Sequence, residues 1–428
     1  MILLLIFGLL FVFMFFGVEI FASMGISGVT YLLISDNAPL NLVASKFVDG
    51  ISSYSLLAIP FFMLVGELMN LSGMTKRLIV FSQFFIGKFK GGLAYAAVFV
   101  NMLVACISGS APADCSAVSS VLIPEMRKEG YPEDFSAAIN CCSSVLGPII
   151  PPSIPLVFLA MLCNVSTGRI LMGGIVPGVL MTLALLAVCR YKLKRVDHTI
   201  TRVEQSWSEF WRLFKGAGLA LLAPVIIIVG VFSGFVTITE VAMLAAFYVL
   251  IIGVVFYKTI NLKVFWEAMK KTVSSSAALM ALFGAGGLFS WFLAVEQVPK
   301  LISNVVAAMN LTPVVFLLIV NLFLLLIGMI MDAIPAITIF MPVLMPIATG
   351  LGIDPVHFGV VVVMNLMIGL LTPPVGALLY VESKVSGVSF DRLTKQCIPY
   401  IGAFLVCLLA VTFWEPLSTW LPNLLMEA

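Results

Sequence analysis

The chain has 428 residues, 61% of them hydrophobic and 10% charged, with a formal net charge of +2. No soluble domain of this length keeps such a surface in water, so the composition places the chain in a lipid bilayer. The near-neutral balance supplies no basic field, and no nucleic-acid partner is expected.

In chain order, the first element is the apolar stretch from Met1 to Phe16. It lacks the basic flank and small-residue cleavage site of a signal peptide and reads as a retained helix. Residues 1–35 divide into two short helices around Gly17 and Glu19, or else form one long tilted helix that moves the N-terminus to the other side. Apolar runs near or above 18 residues then recur along the chain and read as membrane-spanning helices. Glu67 lies within the run Leu56 to Leu71. It reads first as a buried interhelical hydrogen-bonding group and second as a coupling residue. The eight cysteines all sit in apolar segments, with neither zinc-site nor disulfide-framework spacing, and read as packing residues.

A first hairpin is predicted over about 93–124. It is apolar except at its tip, Ser108 to Asp114. Lys88 and Lys90 precede it and Arg127 and Lys128 follow it, so by the positive-inside rule both flanks are cytoplasmic and the hairpin re-enters. A broken helix follows at about 135–163, interrupted by Gly147-Pro148-Ile149-Ile150-Pro151-Pro152-Ser153. The first half ends near residue 189. The segment 190–215 is the most charged of the chain and reads as a cytoplasmic and interfacial linker. Trp207, Phe210, Trp211 and Phe214 recur in it at helical spacing, as on a membrane surface.

The second half, 216–428, repeats the plan. Its hairpin is predicted at about 314–348, with the tip Gly328 to Ala333. Its broken helix is predicted at about 355–381, interrupted by Leu371-Thr372-Pro373-Pro374-Val375-Gly376. This hairpin is flanked by Asn310, Thr312 and Asp354 without nearby Lys or Arg, so its flanks read as external. The fold class that results is an all-α polytopic membrane protein. It is an inverted repeat with two re-entrant hairpins and two broken helices that point inward from opposite faces.

Helix breaks at membrane depth are costly, because each unpaired backbone group in hydrocarbon costs several kcal/mol. They are tolerated where freed carbonyls and half-helix ends bind ions or substrate. A first cation site is expected from Ser108 and the tip carbonyls with Gly147, Ile150 and Pro152. A second is expected from Gly328 and Asp332 with Gly369, Thr372 and Val375. Sodium is the expected ion, with two or more sites. Ser110, Asp114, Ser153 and Asp332 are expected to line a substrate pocket, although Asp114 and Asp332 serve equally well as N-caps of the returning helices. No zinc-protease, nucleophile-elbow or phosphate-loop motif is present, so an enzyme is not expected and no means of using ATP is recognisable.

Several of these residues also carry a resemblance. Gly109-Ser110-Ala111-Pro112-Ala113-Asp114, Ile123-Pro124-Glu125-Met126 with Gly130-Tyr131, and the Gly147 to Ser153 break resemble the large membrane subunit of tripartite ATP-independent periplasmic (TRAP) transporters. So do Gly352-Ile353-Asp354-Pro355-Val356-His357-Phe358-Gly359 and Asn365-Leu366 followed by Thr372 to Gly376. The resemblance covers essentially the whole chain. It implies an elevator-type sodium symporter of the bacterial inner membrane that carries an organic acid such as sialic acid or a C4-dicarboxylate. It also implies two partners: a periplasmic substrate-binding protein and a small four-helix membrane subunit, here expected as a separate chain. The alternative is a stand-alone divalent-anion/sodium symporter with a similar hairpin-and-broken-helix plan.

Overall fold

The computed structural model describes residues 2–34, 39, 41–86, 91–194, 207–233, 235–309 and 311–426, and Ser108 by its backbone alone. Residues 195–206 of the expected linker, and Lys88, Lys90 and Asn310 at the hairpin flanks, lie outside the described residues. All elements among the described residues are helical.

The first half opens with α1 (Ile2–Phe15) and α2 (Ile20–Ile34), two helices rather than one. Next come α3 (Asn41–Ile51), a 3-10 turn at Tyr54–Leu57, α4 (Ala58–Leu71) and α5 (Met74–Ile86). The helices α6 (Gly92–Ser108) and α7 (Ala111–Lys128) form a tight hairpin. The helices α8 (Glu133–Ser144) and α9 (Ile154–Leu162) are the two halves of an interrupted helix, and α10 (Thr167–Gly173) and α11 (Ile175–Leu193) complete the half.

The second half opens with α12 (Trp207–Ser233), then α13 (Ile238–Ile251), which a π-helical turn extends to Phe256, and α14 (Leu262–Val295). After α15 (Val298–Ala308) comes a second hairpin, α16 (Pro313–Gly328) with α17 (Ala333–Gly350). A second interrupted helix follows, α18 (Pro355–Gly369) with α19 (Ala377–Ser386), then α20 (Phe390–Phe413) and α21 (Pro416–Leu425). Polar caps fix several starts. Asn261 accepts from Val264 N–H, Thr312 from Val315 N–H, and Asp354 from both Val356 and His357 N–H.

Packing repeats as the sequence does. Helix α2 lies on α14 as α13 lies on α4, and α1 pairs with α2 as α12 pairs with α13. Each hairpin packs on its own broken helix, and its returning helix also reaches the second half-helix of the other: α7 meets α19, and α17 meets α9. The core is therefore woven from both halves and cannot be cut at the linker. The 34 residues of α14 extend about 51 Å, well beyond an apolar core about 30 Å thick. Its first turns carry Lys263, Glu267, Lys270 and Lys271, so the excess length lies at that end. In the first half, α3 and α4 divide the same task, and both pack on α14.

Two expectations change here. Glu67 is not a fully buried hydrogen-bonding group: its carboxylate is about one-third exposed and lies 4.0 Å from Lys271 Nζ. A pair this open contributes at most about 1 kcal/mol. The aromatic run Trp207 to Phe214 is no separate surface segment but the first turns of α12 itself. Phe210 turns inward to Phe81 of α5, with ring centroids 6.3 Å apart, while Trp207 and Trp211 stay exposed.

Among the described residues, seven helices are long and apolar enough to cross a membrane by length and composition, and α6, α16 and α18 contain shorter apolar spans. The opposite sidedness of the two hairpins is testable. On a background without native cysteines, Lys128→Cys is expected to react with an impermeant maleimide only from the cytoplasmic side. Met309→Cys, exposed just before the second hairpin, is expected to react only from outside. Labelling of both from one side would rule out opposed hairpins.

Candidate functional site

Each hairpin tip touches the break of its own half, backbone to backbone. Gly109 has a φ of +60°, and a Cβ placed on it would stand 2.8 Å from Pro152 O and 3.1 Å from Ile154 N. In the second half, a Cβ on Gly369 would stand 2.6 Å from Gly328 Cα. There the Gly376 N–H also donates to Met329 O at 3.2 Å. Only residues without side chains allow these approaches.

The local geometry of the breaks follows from their composition. In the first, Ser153 caps α9: its Oγ accepts from Leu156 N–H at 3.1 Å and donates to Pro148 O. In the second, Thr372 Oγ1 donates to Ile368 O at 2.8 Å, which leaves its lone pairs available. Both Pro–Pro bonds, Pro151–Pro152 and Pro373–Pro374, are cis. Among the described residues, no backbone N–H outside the regular helices donates to the carbonyls of Gly147, Ile150, Pro152, Gly328 or Val375. Gly369 O accepts from Thr372 N–H at 2.8 Å and keeps one lone pair. The side chain of Ser108 lies outside the described residues. The remaining expected ligand groups, apart from the Asp332 carboxylate, are carbonyls and a hydroxyl. Among the described residues no group of three or more His, Cys, Asp or Glu could hold a metal. Oxygen ligands without imidazole or thiolate suit a hard cation.

The two aspartates part company. Asp332 is the N-cap of α17 and accepts from Ala333 N–H at 2.7 Å, yet remains open to solvent. Asp114 is buried and closes the first turn of α7, whose N-cap is Ser110. The capping alternative therefore holds for Asp332 and fails for Asp114, because Pro112 sets the start of α7 ahead of it.

A cavity of about 330 Å³ opens between the four elements. Gly109, Ser110 and Pro112 face it from the first tip and Asp332 from the second, with Pro148 and Leu370 from the breaks. Its remaining wall is Met63 of α4 with Ser275, Ala278 and Leu279 of α14. The size is in the range of about 300–1,000 Å³ of small-molecule sites. Of the four residues expected to line a substrate pocket, Ser110 and Asp332 face this cavity. Asp114 and Ser153 are buried behind it. Among the described residues its lining has one carboxylate and no Lys, Arg or His.

Behind the cavity lies a polar network that sequence reasoning missed. Glu382 of α19 is fully buried. It accepts from Ser119 Oγ at 2.6 Å and Asn140 Nδ2 at 3.0 Å, and the Cys115 thiol lies at 2.8 Å. Asn140 Oδ1 accepts in turn from Asn101 Nδ2 at 2.9 Å. The second half has a matching pair: Asn365 Nδ2 donates to Asn321 Oδ1 at 3.0 Å and to Asn321 O at 2.8 Å. Each pair joins the first helix of a hairpin to the first half of its broken helix. Asn101 and Asn321 stand seven residues before Ser108 and Gly328, and Asn140 and Asn365 stand four before Ser144 and Gly369. That shared spacing was the available signal.

If Thr372 ligates a cation, Thr372→Val keeps the shape and removes an oxygen. The sodium concentration for half-maximal uptake is then expected to rise about five- to tenfold, the equivalent of one lost hydrogen-bond-like contact. An unchanged sodium titration would take Thr372 out of the ligand set.

Comparison with known proteins places this geometry. Residues 7–417 match the family described as the tripartite ATP-independent periplasmic transporter, DctM component. The sialic acid TRAP transporter large permease protein SiaM of Vibrio cholerae is 35% identical over 413 residues, 96% of each chain. The C4-dicarboxylate TRAP transporter large permease protein DctM of Pseudomonas aeruginosa is 39% identical over 405 residues, 94% of each chain. Among solved structures, the Alcanivorax borkumensis YdaH transporter superposes with a TM-score of 0.68 at 17% identity, covering 90% of this chain and 91% of its own. That likeness is one of fold.

Proposed function

We propose a function from this premise: the chain belongs to the tripartite ATP-independent periplasmic transporter family as its DctM component. It is a transporter permease subunit and not an enzyme. In this reading it carries an organic acid with sodium across the bacterial inner membrane. It receives the acid from a periplasmic binding protein and works beside a small four-helix membrane subunit.

The observation that carries the sodium part is the charge of the cavity. Asp332 is its one charged lining group among the described residues. An ionised acid about 5 Å from Asp332 would be repelled by about 3 kcal/mol at an effective dielectric near 20. Cations held by the tip and break carbonyls on either side offset that repulsion, and half-helix N-termini add to the effect. Substrate hydroxyls that donate to Asp332 reduce it further. This favours a polyhydroxylated acid over a bare dicarboxylate; permeases for both kinds of acid are among the relatives. The scaffold side of the cavity, Met63 with Ser275, Ala278 and Leu279, is small or apolar. Such a wall suits an elevator movement, in which the hairpins and broken helices slide past it with their cargo.

Thermal unfolding of the purified chain tests the order of binding. Sodium chloride at ten times its dissociation constant is expected to stabilise by about 1.4 kcal/mol over potassium chloride for each site it fills. A panel of acids is expected to add a further shift only when sodium is present. A shift from an acid in potassium alone, equal to that in sodium, would remove the cation from the binding site.

A further inference from the structure

We infer that the groove between α5 and α12 binds the phosphate headgroup of an anionic phospholipid. The groove encloses about 450 Å³ and is lined by Lys76 and Arg77 of α5 and Arg212 of α12, with Val80 and Leu213 as its apolar floor. Among the described residues no Asp or Glu lines it, and no carboxylate pairs with Lys76 or Arg77. The Arg77 guanidinium is held over the Tyr257 ring, 4.6 Å from its centroid, so its charge is positioned at the groove and not free to sweep the surface. Three cations from two packed helices around one concavity fit a single phosphate, with arginine suited to bidentate contact.

What surrounds the groove favours a lipid over a free anion. Trp207 and Trp211 stand exposed at the same end of α12, as aromatic residues do at the headgroup level. Beyond Arg212 the helix turns apolar, and Leu222, Val225 and Val229 are exposed along it at helical spacing, a path for acyl chains. The Lys and Arg excess puts this end at the cytoplasmic leaflet. Basic pockets between helices on that side take anionic headgroups, with about 1 kcal/mol from each Lys or Arg. A soluble phosphate gains only the screened charge interaction. The lipid would bridge α5 to α12.

Native mass spectrometry of the purified full-length chain tests this. Detergent micelles would carry phosphatidylglycerol or phosphatidylcholine with the same acyl chains, and a parallel arm would carry glycerol phosphate without lipid. One tightly retained phosphatidylglycerol is expected, with phosphatidylcholine at least tenfold weaker. Arg212→Gln leaves the Arg77–Tyr257 stack intact and is expected to weaken retention about fivefold, one basic contact's worth. The combined Lys76→Gln, Arg77→Gln and Arg212→Gln variant is expected to lose the retained lipid, with its melting temperature in zwitterionic detergent showing whether it is folded. Equal retention of both lipids, or undiminished phosphatidylglycerol on Arg212→Gln, would overturn the proposal. Glycerol phosphate retained as tightly as the lipid would assign the groove to a soluble anion and overturn it as well.

Discussion

Gly369→Ala is expected to abolish driven uptake while the chain still inserts and purifies. The added Cβ would lie 2.6 Å from Gly328 Cα and 2.7 Å from its carbonyl carbon, and backbone cannot rotate away as a side chain can. Overpacking of this kind costs about 1–3 kcal/mol. It outweighs the gain of up to about 1 kcal/mol that Ala brings over Gly at the end of a helix. Relief comes only by parting the second tip from its break, which moves apart the carbonyls of Gly328 and Gly369, the proposed cation ligands. Gly402→Ala in α20 is the control, since a Cβ there meets nothing within 4 Å. That variant should transport normally. Equal uptake by the two variants would show that the tip and break need not touch.

Asn140→Leu is expected to be the most destabilising single polar-to-apolar exchange in the transport core. The leucine fills the space but leaves Asn101 and the buried Glu382 carboxylate each short of a hydrogen-bond partner. Leaving a buried polar group short of a partner costs about 1–3 kcal/mol, and more where the group is an ionised carboxylate. Ser119 remains bonded to Glu382 and holds the loss towards the lower end. The matching exchange Asn365→Leu deprives only Asn321 of a partner, a neutral group, and is expected to cost about 1–3 kcal/mol. Thermal unfolding of both variants in the same detergent ranks them. A higher melting temperature for Asn140→Leu than for Asn365→Leu would show that the buried Glu382 does not depend on Asn140.

The tips and breaks were legible because Gly and Pro clusters interrupt a helix wherever they fall inside an apolar run. The expectation that Asp114 and Asp332 are alike as caps did not hold. Asp114 is a first-turn residue of α7, whereas Asp332 is the cap of α17 and the cap of α7 is Ser110. The start of a helix is set by its first-turn proline and its cap; relative to the two aspartates the cap is displaced by four residues between the halves and the proline, Pro112 against Pro335, by five. Glu382 was not legible. It stands two residues from Lys384 in a stretch that reads as the approach to a cytoplasmic loop. The residues that justify burying it, Cys115 and Ser119, lie 267 and 263 residues away. Nothing local marks a charge whose partners come from the other half of an interwoven core. The aromatic turns of α12 show the converse limit, since helical spacing reveals an apolar face but not whether the helix continues into a span.

The most direct test of sodium-coupled transport is uptake of a labelled polyhydroxylated acid into proteoliposomes. These would contain the chain with its small membrane partner, and the periplasmic binding protein would be supplied outside. An inward sodium gradient is expected to drive accumulation above the external concentration, and dissipating that gradient with a sodium ionophore should abolish it. Asp332→Asn should lose the same accumulation. Accumulation that proceeds equally in potassium alone, with no sodium on either side, would contradict a cavity built to hold an acid between two bound cations.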